Sequence, residues 1–154
     1  MARGWRIVSG GQTGVDRAAL DVARVLGLAH GGHVPKGRRA EDGALPDDYG
    51  GMSETASRDY SERTRLNVRD SEATLILTRG GIDGGTRLPL ETARALGRPV
   101  LCVDVGEAGA VERIGAWLGG MAPGTVNVAG PRESEAAGIY GEAYAVLRGV
   151  FEAG

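Results

Sequence analysis

The sequence is short of several things. It holds a single cysteine, Cys102, among 154 residues, so a disulfide framework is excluded, and inside the apolar run PVLCVDV that thiol reads as a small buried side chain. No apolar run approaches the roughly 18 residues needed to span a bilayer, and no basic stretch leading into an apolar one opens the chain. A cytoplasmic protein is expected. Aromatics amount to two Trp, four Tyr and one Phe, too few to favour stacking on single-stranded nucleic acid. A formal net charge of -2 gives no broad basic face for a polyanion, so nucleic acid is not an expected partner and any phosphate recognition must be local. Lysine is nearly missing as well: Lys36 is one residue against a background of arginine, and it sits in HVPKGRRAEDG.

What is present is glycine, 27 residues of it, with 42% hydrophobic and 25% charged residues, a composition expected of one compact domain spanning residues 1–154. Apolar, β-branched runs alternate with amphipathic stretches along the whole chain. That pattern predicts an α/β fold, a Rossmann-like parallel sheet of about five or more strands flanked by helices on both faces. Strands are expected at Arg6–Ser9, Ala29–His33, Ala73–Thr78, Val100–Asp104 and Thr125–Val128. Helices are expected at Val15–Leu26, Arg58–Arg69, Arg87–Leu96, Ala110–Trp117 and Gly138–Phe151. In the first helix Val15, Ala19, Val22 and Leu26 recur at helical spacing, and Gly27 supplies a C-cap. Pro35 to about Thr55 reads as a long irregular segment, a length associated with function or mobility.

In open parallel sheets ligands bind beyond the carboxyl ends of the strands, so the strand-to-helix corners carry the chemistry. In SGGQTGVD, Gly10, Gly11 and Gly14 allow backbone to approach an anion at a helix N-terminus, and Thr13 offers a hydroxyl. The alternative is a tight turn with Thr13 as N-cap. Asp16, an acid in the first helical turn, either complements the helix dipole or recognises a donor on the ligand. PKGRRAEDG gathers Lys36, Gly37, Arg38 and Arg39, which form either a phosphate clamp or a solvated charged loop. TRGGIDGGTRLPLE repeats the first corner's pattern with Gly80, Gly81, Gly84, Gly85 and Thr86, and the two corners together are expected to cradle one phosphorylated small molecule. Asp104, at the end of its strand, either binds a ribose or base edge or caps a turn. His30 and His33 have no second ligand cluster nearby, so packing or local hydrogen bonding is expected and no protein-ligated metal. The first corner is neither a Walker loop nor a full dinucleotide fingerprint, and cations stand where an NAD enzyme places its ribose-binding acid.

Taken together and in order, GGQTGVDRAALD, PKGRRAEDG, RTRLNVRDSEATLI, GGIDGGT and NVAGPRES resemble the bacterial molybdenum-cofactor carrier family. That family lies within the Rossmann-like superfamily that also holds the Lonely Guy phosphoribohydrolases and DNA-processing protein A. The resemblance covers nearly the whole chain. It implies a nucleotide-binding type of fold, a homo-oligomer, and either the molybdenum cofactor or a nucleotide as bound ligand. His33-Val34 stands where a Trp-Cys pair often precedes the family's PKGRR motif, which argues against a thiol-based role for that loop. Likeness to the Lonely Guy branch implies the alternative activity, hydrolysis of the N-glycosidic bond of a nucleoside monophosphate, with Arg63 and Glu91 as ligand positioner and acid/base. There the match is imperfect. Pro89 stands three residues after Thr86, where that branch has its glutamate, and Glu91 lies roughly 200° further around the helix, far from a near-attack geometry.

Overall fold

The structure, a computed structural model, describes residues 4–152. Its elements in chain order are β1 (Arg6–Val8), α1 (Val15–Leu26), β2 (His30–Val34), β3 (Arg39–Ala40), β4 (Gly43–Ala44), β5 (Met52–Glu54), α2 (Tyr60–Arg69), β6 (Ala73–Thr78), α3 (Gly84–Ala95), β7 (Val100–Asp104), α4 (Ala110–Gly119), β8 (Thr125–Ala129) and α5 (Ile139–Glu152). Six strands form one sheet in the order β5-β2-β1-β8-β6-β7, and every pairing in it is parallel. The expected Rossmann-like α/β architecture is therefore present, with β5 and the small β3–β4 hairpin arising inside the segment read as irregular.

The placement of the helices follows from the handedness of parallel crossovers. From β1 the chain moves through α1 toward the β5 edge, and from β7 it moves through α4 back to β8. These two share one face, where α5 packs against both α1 and α4. The connections through α2 and α3 run in the opposite direction along the sheet and cover the other face, α2 against α3. Between the layers, β6 is buried along its whole length, and Trp5, Ile7, Leu75, Leu77, Val126, Leu147 and Phe151 fill the core.

β1 feeds leftward and β6 rightward, with β8 between them. The topological switch point, where ligand crevices form in open sheets, therefore lies at the carboxyl ends of β1, β8 and β6. Helix α1 stops at Gly27, whose left-handed φ of 69° turns the chain as expected. Helix α3 starts at Gly84, earlier than periodicity suggests, because the Asp83 carboxylate accepts from the Gly85 and Thr86 N–H groups in a capping box.

Candidate functional site

A cavity of about 310 Å³ opens at the switch point, lined from four directions. Gln12 and Asp16 come from the β1–α1 corner, Asp59, Tyr60, Ser61, Arg63 and Thr64 from α2 and its start, Gly85, Leu88 and Pro89 from α3, and Ala129, Gly130, Arg132 and Glu135 from the β8–α5 corner.

The floor is a buried ion pair. Asp16, 3% exposed, lies 3.1 Å from Arg63 Nη1 through its Oδ2 and also accepts from the Gln12 backbone N–H. Burial pushes the Asp16 carboxyl above its ordinary range, and the Arg63 guanidinium pulls it part of the way back. Gly10 is what lets Arg63 lie there: a Cβ on Gly10 would stand 2.2 Å from Arg63 Nη1. On the far side, Pro89 lacks the N–H that a regular helix would donate to the Gly85 carbonyl. Gly85 itself lies on the cavity wall.

Three side chains of the wall carry buried N–H donors without a protein acceptor: Gln12 Nε2, Arg63 Nε and Arg132 Nε. Arg132 Nε stands 3.7 Å from Glu41 and 3.8 Å from Glu135, charge-paired with both but beyond hydrogen-bond distance. A buried donor left unpaired costs about 1–3 kcal/mol; each of these three atoms is itself closed to solvent, so an acceptor in the cavity reaches it only if its side chain turns toward that space. Among carboxylates of the wall, Asp59 caps α2 by accepting from Ser61 N–H, and Glu135 accepts from Arg132 N–H.

The structure redistributes the residues expected from sequence. Asp16, Arg63 and Gly85 line the cavity, and Gly10 lies directly beneath Arg63. The helix ends expected to hold phosphate are used by the protein itself. At α1 the N-cap is Gly14, with no side-chain cap, so Thr13 is not the cap. The Val15 N–H donates to the Pro131 carbonyl, and Gly14, at φ 78°, fits against that same carbonyl at a distance that would put a Cβ 2.3 Å away. Thr13 spends its hydroxyl on Glu41 and accepts from Glu133 N–H. Gly11, at φ 73°, makes room for Val34 and Leu45 rather than for a ligand. At α3 the Asp83 carboxylate already sits on the helix end, and Thr86 is fully buried within that capping box.

The remaining expected residues stand away from the cavity wall. Arg38 donates to the carbonyls of Leu45, Pro46 and Tyr49 and so holds its own loop closed. Arg39 donates to the Arg58 carbonyl and stacks on Tyr60. Lys36 is exposed, and Gly37 N–H donates to Glu54. Gly80 and Gly81 have left-handed φ angles on an exposed turn, and Gly84 opens α3. Asp104 accepts from Gly80 and Gly106 N–H groups, the turn-capping role of its two alternatives, and those bonds hold its carboxyl below the ordinary range. Glu91 is exposed and off the wall, while Pro89 occupies the cavity-facing position. His33 bonds Asp70, and His30 the Leu28 carbonyl. No metal-holding cluster of three or more ligands occurs among the described residues, and none of their helices is long and apolar enough to cross a membrane.

Gln12, Arg132 and Glu135 are among the wall residues that sequence reasoning passed over. The signal for Arg132 was the corner VAGPRES, whose approach to the first corner only the β1–β8 pairing reveals.

A parallel sheet with a polar crevice at its switch point defines a Rossmann-like protein of the ligand-binding class. Within that class, the chain belongs to the Circularly permutated YpsA SLOG family, whose pattern matches residues 7–151. A crystal structure from Syntrophus aciditrophicus SB, of a protein named "Putative molybdenum carrier protein", is similar at 40% identity with a TM-score of 0.88, covering 95% of this chain and 93% of that one. Among curated proteins none matches.

Proposed function

We propose that the crevice binds a phosphorylated, nucleotide-like small molecule, and that the molybdenum cofactor, a pterin bearing a phosphate, is the leading candidate. The observation that carries this reading is that Gln12, Arg63 and Arg132 line one cavity, each holding an N–H that no group of the described protein accepts. An oxyanion or carbonyl-rich ring supplies the acceptors they lack, and arginine forks suit phosphate oxygens. The acids of the wall favour a ligand that also offers N–H donors, as pterins and nucleobases do. The volume stands at the small end of ligand sites, suited to a single nucleotide-sized molecule. The name given to the structural neighbour agrees with cargo of this kind.

The reading is of stoichiometric binding. Asp16 is locked to Arg63, Asp59 caps a helix and Glu135 accepts from a backbone N–H, and the glutamate of the hydrolase reading, Glu91, is off the wall. Isothermal titration of the full chain with nucleoside monophosphates and with the cofactor tests the proposal. One of them should bind without release of free base, and Arg132→Gln should weaken it by about 1–3 kcal/mol through loss of a charge-assisted bond. Absence of binding by all of them would sink the reading.

A further inference from the structure

Glu41 lies at the tip of the β3–β4 hairpin, in the two-residue turn between the paired Ala40 and Gly43. Its carboxylate is surrounded by donors from elsewhere in the fold. Oε2 accepts from the Thr13 hydroxyl and the Ser134 backbone N–H, and Oε1 accepts from the Ser134 hydroxyl and lies 3.7 Å from Arg132 Nε. The Glu41 N–H in turn donates to Gln12 Oε1 at 2.8 Å. Burial pushes the Glu41 carboxyl up, and the bonds from Ser134 and Thr13, with the charge of Arg132, more than offset it, so it sits below the ordinary carboxylate range. Two hydroxyls, a backbone N–H and a guanidinium converging on one anionic group are the chemistry of a phosphate seat.

The hairpin that delivers this carboxylate is tethered lightly. Its strands, of two residues each, pair only with each other. Its base is fixed by Leu45, buried at 1% exposure, and by the bonds of Arg38 to the loop carbonyls. The tip is held to the body through Glu41 and through the pair of Asp42 with Arg17 at 3.1 Å. Two of the residues that hold Glu41, Gln12 and Arg132, also line the ligand cavity and carry its unpartnered donors.

We propose that Thr13, Ser134 and Arg132 form an oxyanion subsite at the rim of the crevice, that Glu41 occupies it as an internal stand-in, and that a phosphate group displaces Glu41 and releases the hairpin. This rests on the crevice being the seat of a phosphorylated ligand, and it adds where the phosphate goes and what it moves. A phosphate dianion offers more acceptors than a carboxylate to the same donors and leaves Glu41 to water, so binding and hairpin opening are linked.

The test uses the full chain and inorganic phosphate as the probe. Removing the stand-in by Glu41→Ala should tighten phosphate binding about tenfold, the scale of one charge-assisted bond, and Ser134→Ala in that background should reverse the gain. In the wild type, phosphate should speed amide hydrogen exchange across residues 39–44. Unchanged affinity in Glu41→Ala, or unchanged exchange at saturating phosphate, would overturn the proposal. If Glu41→Ala does not fold, the wild-type exchange measurement decides alone. A nucleoside monophosphate that binds without speeding hairpin exchange overturns the latch and leaves the crevice reading standing. Phosphate that frees the hairpin, with no monophosphate or cofactor binding, upholds the subsite and overturns the crevice reading.

Discussion

Three glycines of the corners meet two kinds of neighbour. Gly10 has an ordinary backbone, and what a methyl group would meet there is the side chain of Arg63. Gly14 and Gly130 face main-chain oxygen, those of Pro131 and Leu77, at 2.3 and 2.5 Å from an added Cβ, and Gly14 also needs φ 78°. The two kinds of contact predict different phenotypes. Gly10→Ala should displace Arg63 and weaken ligand binding about tenfold or more, and because this parts the buried Asp16 from its partner it should also cost about 3 kcal/mol or more of stability. Gly14→Ala should cost about 2 kcal/mol or more, since both the backbone strain and the clash resist relief. Urea unfolding of both variants, with titration of Gly10→Ala, checks the pair. A stable Gly10→Ala protein with undiminished binding would remove Arg63 from the site.

At the scale of elements, the β2 strand is tied to the end of α2 by side chains rather than by packing alone. Asn67 brackets His33, accepting from its N–H and donating to its carbonyl, and His33 Nε2 meets Asp70 at 2.8 Å. The Arg69 bond first, and then His33, hold the Asp70 carboxyl down at about 2. The folded value lies below the unfolded one of about 3.9, so the stability this link contributes is fully present above pH 4 and is lost as pH falls toward 2. A carboxyl titration of Asp70 by NMR should have its midpoint near 2, and a midpoint near 4 would show that neither the Arg69 nor the His33 bond forms.

Elements also set how far the sequence could be read. Long periodic segments such as α1 and β6 were legible because their burial follows one period. The three residues of β5 carry no such period, and their pairing depends on Gly31 and Gly51 allowing backbones to meet, where a Cβ on Gly31 would stand 2.4 Å from the Gly51 carbonyl. The starts of α2 and α3 were set by the capping acids Asp59 and Asp83 rather than by apolar spacing. The same cap means that the helix end of the second glycine corner already holds the Asp83 carboxylate.

At the scale of the whole molecule, the crevice follows from topology. Only the insertion of the last strand, β8, between β1 and β6 brings Arg132 opposite Gln12 and Arg63. Asp16 could be singled out in sequence because it sits in a glycine-rich corner, and Arg63 because of the likeness to the Lonely Guy branch. Gln12 and Arg132 could not, because their roles exist only where residues 12 and 132 meet across the sheet. On the proposed reading the anion is met by side chains of the crevice wall, since the α3 end is capped by Asp83 and the Val15 N–H of α1 is given to the Pro131 carbonyl.

That claim is tested most directly by the side-chain N–H resonances of Gln12 Nε2, Arg63 Nε and Arg132 Nε in a nitrogen-15 NMR titration with the molybdenum cofactor and with nucleoside monophosphates. The account predicts that one such ligand moves all three together, saturating with a single stoichiometric site. Saturable binding that leaves these three resonances in place, or no binding at all, would contradict it.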